Sequence, residues 1–228
     1  ASRLNQLVEE HGIARLAMLG SSMGAMIALE FALRYPEKVS CLILASLPLE
    51  KTPLLQYLAE DLTVSSKSTV VSDSFLKKLL PLFFSPTFMQ NVRFEVFADF
   101  FMQNGSSFSK DVLHAQLCAV NQWLESKRWK KSCRCPCLLI YGSEDQLVSL
   151  ANDAEGLAKI FKQAEIKIIK GAGHAVQIER YREFNEIVHE FLLDRRVQDE
   201  YISRRVHQLR IVCNQQPATL PECIFTQL

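Results

Sequence analysis

The stretch that decides the fold is Leu16-Ala17-Met18-Leu19-Gly20-Ser21-Ser22-Met23-Gly24, an apolar run that ends in a serine between two glycines. A short, continuous apolar run predicts a strand that is buried on both faces, as in a parallel sheet. After Gly24, apolar side chains recur at helical spacing as far as Leu33, and Pro36 marks the end of that helix. The stretch therefore predicts a strand, a sharp turn and a helix in immediate succession.

The same alternation of strands and helices extends on both sides of this turn. The further predicted elements are a helix over 2–11, strands over 39–45, 137–141 and 166–169, and helices over 150–162 and 181–193. Strands that alternate with helices predict an α/β fold with a mostly parallel, doubly wound sheet.

The middle and the end of the chain depart from this alternation. Residues 48–131 contain nine phenylalanines and several prolines but no β-branched run, which predicts a helical insertion over the sheet. We therefore assign 1–47 and 132–193 to the α/β core and 48–131 to a helical lid. Residues 194–228, which are rich in arginine, form a C-terminal tail.

Composition narrows the classes of protein and of partner. The 228 residues are 48% hydrophobic and 22% charged, a globular balance that excludes a disordered or collagen-like chain. A net charge of +1 gives no overall support to a nucleic-acid partner or an anionic membrane surface. No apolar run matches the roughly 20 residues of a transmembrane helix, and the first residues do not resemble a secretory signal. Seven cysteines, an odd number, favour a reducing compartment, so we expect a cytoplasmic protein.

The cysteines do not predict a metal site. Cys133, Cys135 and Cys137 form a C-x-C-x-C run, whereas zinc sites usually use C-x2-C pairs with partners elsewhere in the chain. We interpret the three as residues at a strand entry that face one side of the sheet. Cys41 and Cys118 are predicted to be buried thiols, and neither a metal nor a cofactor is expected.

Three polar residues follow three of the predicted strands. Ser22 follows the first strand, Asp145 the third and His174 the fourth. Because functional groups in open α/β sheets gather at the carboxyl ends of the strands, these three side chains are predicted to converge. A serine hydroxyl needs a base to become a nucleophile, an imidazole can accept and return the proton, and a carboxylate orients the imidazole. Met23 begins a helix directly after Ser22, so its N–H is a candidate donor to an oxyanion.

These motifs resemble those of the α/β-hydrolase family. The nucleophile elbow of that family is similar to Gly20-Ser21-Ser22-Met23-Gly24, and its G-x-x-D-x-h-V acid loop matches Gly142 to Val148. The G-x-G-H histidine loop matches Gly171 to His174, and the order Ser, Asp, His is the order of the family. The resemblance covers about residues 1–193 and implies Ser22 as nucleophile, His174 as base and Asp145 as the orienting acid. Glu144, beside the motif position, and Glu50, after the second strand, are the alternative carboxylates.

The resemblance does not include the part of the family fold that precedes the elbow strand. Family members usually carry several strands before the elbow, and a loop that often begins His-Gly and supplies a second oxyanion donor. His11-Gly12 directly precedes the elbow strand, which is the wrong place for that loop. The resemblance therefore implies a core that is N-terminally incomplete, as a fragment or a natural short form. The elbow strand would then be an apolar sheet edge that favours self-association, and one missing donor would lower the rate about 10²–10³-fold.

The function that the resemblance implies is that of a serine hydrolase of the esterase-lipase type. It would cleave a small-molecule carboxylic ester through an acyl-enzyme, and the phenylalanine-rich lid favours an apolar acyl or aromatic substrate. One alternative is a catalytically impaired chain that acts as a non-catalytic interaction module. A second alternative is a hydrolase of a carbon–carbon bond next to a carbonyl, because that chemistry uses the same side chains.

Overall fold

The computed structural model describes residues 1–50, 79–90, 109–127, 133–148 and 164–193, with the single positions 94, 96, 99, 103, 157, 160 and 161. More than half of the predicted lid and the whole predicted tail lie outside the described residues, so those boundaries stay predictions. Of the helix predicted over 150–162, only three residues are described. Within the described ranges, no helix combines the length and the hydropathy that a bilayer span requires.

The described elements follow the predicted alternation, with boundaries shifted by a few residues. They are, in chain order, α1 (Ser2–Glu10), β1 (Leu16–Ser21), α2 (Met23–Arg34), β2 (Val39–Ala45), α3 (Pro86–Met89), α4 (Lys110–Ser126), β3 (Cys137–Gly142), β4 (Ala164–Ile169), α5 (Val176–Glu179) and α6 (Tyr181–Leu193), with a short 3-10 helix (Pro36–Lys38) between α2 and β2. Helices α3 and α4 each begin after a serine whose hydroxyl accepts a hydrogen bond from the first turn.

The four described strands form one parallel sheet in the order β1-β2-β3-β4. Every residue of β2 and β3 is buried, which explains why their sequences are, apart from Ser40, continuous apolar runs. Side chains alternate between two packed layers: Leu42, Leu44, Leu139 and Tyr141 lie in the layer of α2, and Ile43, Leu138 and Ile140 lie in the layer of α6. Helices thus cover both faces of the sheet, which confirms the predicted doubly wound α/β class.

The prediction that β1 is buried on both faces is wrong. Among the described strands β1 pairs only with β2, so it lies at an edge of the sheet, as the resemblance led us to expect. Leu16 and Met18 pack in the layer of α2, but Leu19 points to the opposite face and is 52% exposed. An edge strand has a packed neighbour on one side only, and an apolar run alone does not reveal this. The self-association that we predicted through this edge stays a prediction.

The cysteines are packed largely as predicted. Cys133, Cys135 and Cys137 all contact the layer of α2, and the Cys133 and Cys135 sulfurs lie 3.4 Å apart. Cys41 is fully buried in the opposite layer, and burial raises the pKa of its thiol to about 11. The prediction that Cys118 is buried is wrong, because it is half-buried on α4. In the part of the chain that the structure describes, no group of three ligating side chains has the arrangement of a metal site.

Candidate active site

The turn between β1 and α2 presents Ser22 in a strained conformation. Ser22 has φ 53° and ψ −117°, a combination that costs a residue with a side chain about 1–3 kcal/mol. Its N–H donates to the Ala45 carbonyl at 2.9 Å, so the turn continues the pairing of β1 with β2. The strain is maintained because strand pairing fixes one end of the turn and α2 fixes the other.

The two glycines of this turn have different surroundings. A Cβ atom on Gly20 would lie 2.5 Å from the Gly24 carbonyl carbon and 2.7 Å from the Ala25 nitrogen, so only glycine fits where β1 meets α2. A Cβ atom on Gly24 would have no neighbour within 4 Å. Of the two glycines in the predicted elbow, the structure requires Gly20 and does not require Gly24.

Asp145 is held in a turn after β3. Its Oδ1 accepts hydrogen bonds from the amides of Leu147 at 2.8 Å and Val148 at 3.0 Å. Both of these apolar residues are buried, so they anchor the turn, and the Asp145 side chain is 1% exposed. The backbone amides of the acid motif therefore fix the position of the Asp145 carboxylate independently of its contact with the histidine. The alternative carboxylates Glu144 and Glu50 are both exposed.

The histidine loop crosses the sheet from β4 towards β1. The Ala172 carbonyl accepts from the Glu144 amide at 2.8 Å, and the His174 carbonyl accepts from the Ser46 hydroxyl at 2.7 Å, beyond the end of β2. The crossing passes directly over Gly142, where a Cβ atom would lie 2.6 Å from the Ala172 carbonyl carbon. The first glycine of the acid motif is therefore required by the histidine loop rather than by its own turn.

This crossing brings the three predicted side chains into one chain of hydrogen bonds. His174 Nδ1 lies 2.9 Å from Asp145 Oδ2 and 3.1 Å from Asp145 Oδ1. On the opposite side of the ring, His174 Nε2 lies 2.8 Å from Ser22 Oγ. The acceptor-only carboxylate favours the tautomer with the proton on Nδ1, which leaves Nε2 free to accept the serine proton. This geometry allows the ring to act as a general base towards Ser22.

Met23 is the first residue of α2 and directly follows Ser22. The first N–H groups of a helix have no carbonyl partner within the helix, and they lie at the positive end of its dipole. The position of Met23 is therefore suitable for a donor to an oxyanion on a carbonyl attacked by Ser22.

Two residues beside the histidine were missed by the sequence analysis. The Phe83 ring contacts the His174 ring edge to face, with centroids 5.3 Å apart. Glu179 is a buried carboxylate that accepts a hydrogen bond from the Gly173 amide. Phe83 was recognised only as one of many lid phenylalanines. Glu179 lies five residues after His174 and next to apolar positions. An acidic residue in such a stretch, close to the candidate base, is the sequence feature that could have indicated a buried carboxylate.

Comparisons with known proteins agree with this architecture. A family model described as the alpha/beta hydrolase fold matches residues 1–181. The putative 2-succinyl-6-hydroxy-2,4-cyclohexadiene-1-carboxylate synthase of Bacillus subtilis is 28% identical over 84% of this chain and 70% of that protein. The 2-hydroxy-6-oxo-6-phenylhexa-2,4-dienoate hydrolase of Comamonas testosteroni is 24% identical over 86% of this chain and 68% of that protein. The chain thus spans about two thirds of the length of the curated relatives that it matches.

Solved structures show the same fold. The enol-lactonase from Burkholderia xenovorans superposes with a TM-score of 0.72 at 20% identity, over 84% of this chain and 71% of that one. A thermophilic esterase from Thermogutta terrifontis gives a TM-score of 0.67 at 20% identity, over 90% and 70% of the two chains. The parallel sheet, the order of the three motifs and the family match over residues 1–181 together show that this chain belongs to the α/β-hydrolase family.

Proposed function

We propose that this hydrolase-family chain is a serine hydrolase that cleaves a carboxylic ester through an acyl-enzyme. The observation that carries the proposal is the 2.8 Å contact between Ser22 Oγ and His174 Nε2, with Asp145 on the far side of the ring. That arrangement supplies a nucleophile, a base and a group that orients the base. Among the described residues, only Ser22 and His174 change their protonation state in this mechanism.

The first half of the reaction forms a bond between Ser22 and the acyl group. Ser22 Oγ attacks the ester carbonyl carbon while His174 Nε2 takes the hydroxyl proton, and the Met23 N–H donates to the oxygen that becomes negative. The tetrahedral intermediate then breaks its bond to the alcohol oxygen, which receives the proton from His174. Asp145 stays ionised and stabilises the imidazolium while the ring carries the proton.

The second half returns the enzyme to its starting state. A water molecule gives a proton to His174 Nε2 and attacks the acyl carbon, and the bond to Ser22 Oγ breaks. The proton passes to Ser22, and the carboxylic acid leaves. The same base therefore acts in both halves, which requires the ring to stay in the position that Asp145 enforces.

Apolar groups beside the histidine support an ester with an apolar acyl or aromatic part. The Phe83 ring lies against His174, and it borders a cluster of buried or half-buried apolar residues: Leu80, Phe84, Phe88, Met89, Phe94, Ala175 and Ile178. Apolar walls beside a reacting group select substrates by the apolar surface that they bury.

The names of several relatives favour a second candidate function, hydrolysis of a carbon–carbon bond next to a carbonyl. Those proteins are named as hydrolases of 2-hydroxy-6-oxo acids, among them enzymes of Comamonas testosteroni and Paraburkholderia phymatum. The same serine, histidine and carboxylate would serve that reaction. The two candidates differ in the bond that breaks and are separated by product analysis.

Labelling with a fluorophosphonate probe, followed by intact mass, tests the nucleophile. We expect one adduct on the chain, its loss in Ser22→Ala, and its retention in Ser21→Ala, which removes the neighbouring hydroxyl of the same turn. Circular dichroism establishes that each sample is folded. No adduct on a folded chain, or an adduct that survives Ser22→Ala, would contradict the proposed nucleophile, and the first result would favour the non-catalytic interaction module.

The substrate class is tested on the same samples. We expect turnover of p-nitrophenyl esters with apolar or aromatic acyl groups, measured by p-nitrophenol release and abolished by Ser22→Ala. Parallel incubation with 2-hydroxy-6-oxo-6-phenylhexa-2,4-dienoate, analysed by mass spectrometry, tests the second candidate. Faster turnover of the oxo-acid than of every ester would replace the ester proposal with carbon–carbon bond hydrolysis.

A further inference from the structure

Glu179 is a buried carboxylate that the mechanism above does not use. It lies at the end of α5 and is 8% exposed. Its two oxygens accept three hydrogen bonds: Oε1 from the Gly173 amide at 2.8 Å and the Ser85 amide at 3.1 Å, and Oε2 from the Ser85 hydroxyl at 2.5 Å. One side chain therefore joins the residue before His174 to the lid segment that contains Ser85.

The packing between these groups is close. A Cβ atom on Gly173 would lie 2.7 Å from Glu179 Oε1 and 2.7 Å from the Ser85 nitrogen. The glycine before the histidine is therefore required by the contact with Glu179 and the lid segment. Ser85 is itself fully buried, and its hydroxyl also accepts from the Phe88 amide at the start of α3.

Three successive residues of the histidine loop are anchored to groups outside the loop. The Gly173 amide donates to Glu179, the His174 carbonyl accepts from Ser46, and the Ala175 amide donates to the Phe83 carbonyl at 2.8 Å. Two of these three anchors involve the lid segment 83–85, through Glu179 or directly. The backbone on both sides of the His174 ring is thus attached to residues 83–85, a described segment of the predicted lid.

Keeping the Glu179 carboxylate ionised in the protein interior costs free energy. Burial raises the pKa of this carboxyl, while hydrogen bonds from Ser85 and Gly173 and the charge of Arg180 act in the opposite direction. A buried carboxylate contributes little to stability, because the cost of removing it from water offsets what its partners return. Polar groups that are kept in a protein at such a cost are often found at functional sites.

We propose that Glu179 is a positioning residue for His174, which fixes the histidine loop to the lid segment at Ser85 so that Nε2 meets Ser22. The proposal rests on the proposed function. The position of the ring follows that of the His174 backbone, which the bonds of the Gly173 and Ala175 amides hold from both sides. A misplacement of about 1 Å in a catalytic group costs on the order of 10²-fold in rate.

Three substitutions at two positions test the proposal, with an exposed glutamate as the control. Glu179→Ala removes all three hydrogen bonds, and Ser85→Ala removes the hydroxyl contact with Glu179 together with the bond that the same hydroxyl accepts from the Phe88 amide. Glu179→Gln keeps an oxygen for the Gly173 and Ser85 amides and offers its amide group to the Ser85 hydroxyl. Glu186→Ala removes an exposed carboxylate of the neighbouring helix α6.

The measurement is the rate of fluorophosphonate labelling at saturating probe, per folded molecule, together with the probe concentration that gives half of that rate. We expect Glu179→Ala to lower the saturating rate about 10- to 100-fold with little change in the half-saturating concentration. Ser85→Ala should lower it less, and Glu179→Gln should restore most of the rate. Glu186→Ala should match the unsubstituted chain.

A residue with a merely structural role would change the folded fraction and leave the rate of the folded molecules unchanged. The proposal is overturned if Glu179→Ala and Ser85→Ala both label at the unsubstituted rate per folded molecule, or if Glu186→Ala slows labelling equally. Should Glu179→Ala not fold, Ser85→Ala decides alone. An unsubstituted chain that does not label overturns the proposed function and this inference with it, whereas normal labelling in every variant overturns this inference only.

Discussion

Replacing Gly20 with alanine should displace Ser22, whereas the same replacement at Gly24 should leave it in place. Both glycines belong to the elbow motif, and neither has a positive φ, so backbone conformation does not distinguish them. The space around each Cα atom does distinguish the two glycines. The pair therefore isolates close packing between β1 and α2 as the requirement that positions the nucleophile.

The magnitude follows from the contacts that a new Cβ atom would make. On Gly20 it would lie 2.5 Å from the Gly24 carbonyl carbon, where such contacts are essentially never shorter than 3.0 Å, so β1 and α2 must separate by at least 0.5 Å. The neighbours are backbone atoms, so no side-chain rotation relieves the contact. Overpacking of this kind costs about 1–3 kcal/mol, and each kcal/mol lowers Tm by about 2–4 °C in a domain of this size. The shift of Ser22 should slow labelling by on the order of 10²-fold.

Alanine at position 24 meets no atom within 4 Å and lies in the first turn of a helix, so its effect on stability should range from zero to a gain of about 1 kcal/mol. Thermal unfolding and the saturating rate of fluorophosphonate labelling are measured on both variants. Equal losses in the two variants, or normal labelling in Gly20→Ala, would refute the reasoning from packing.

Four further substitutions test other parts of the structure. Asp145→Asn keeps an oxygen for the Leu147 and Val148 amides but disturbs the His174 tautomer, so labelling should fall by about 10³–10⁴-fold with a nearly unchanged Tm; a loss below tenfold would contradict the assigned role. Gly142→Ala should lower both Tm and labelling, because its Cβ atom would meet the Ala172 carbonyl; a fully active variant would show that the loop crosses elsewhere. The pKa of Glu179 is raised by burial, so its contribution to stability is present at acid pH and is lost as the pH rises through that pKa. The Tm of Glu179→Gln relative to the unsubstituted chain should therefore increase from about pH 4 to about pH 8, and a constant difference would contradict this. Leu139→Ala, in the fully buried β3, should cost about 2–5 kcal/mol in urea unfolding, and a cost below about 1 kcal/mol would show that the core tolerates the cavity.

The sequence predicted most of the core because local pattern and local environment agree there. Apart from Ser40, the strands Val39–Ala45 and Cys137–Gly142 are continuous apolar runs, and both strands are buried at every position. Leu16–Ser21 carries a similar run, yet β1 lies at the edge of the described sheet. Burial of a strand depends on which strands and helices pack beside it, and the residues of the strand itself do not indicate whether those neighbours are present.

For the candidate site, too, some features could be predicted from the sequence and others could not. The order of Ser22, Asp145 and His174 after three strands was sufficient to predict that they converge, because parallel strands place their carboxyl ends at one edge of the sheet. The requirement for Gly142 and Gly173 could not be predicted, since each has its closest contacts with a segment that is distant in sequence or with a side chain several residues away. Glu179 was missed for the same reason: its partner Ser85 lies 94 residues earlier in the chain.

The sequence by itself determined the fold class, the alternation of strands and helices, and the identity of the three converging side chains, because periodicity and turn motifs are local properties of the chain. Only the tertiary structure decided which elbow glycine is needed, which face of β1 is exposed, and which groups hold His174 towards Ser22. Those features depend on distances between segments that are far apart in sequence, and such distances exist only after the sheet has assembled and the histidine loop has crossed it.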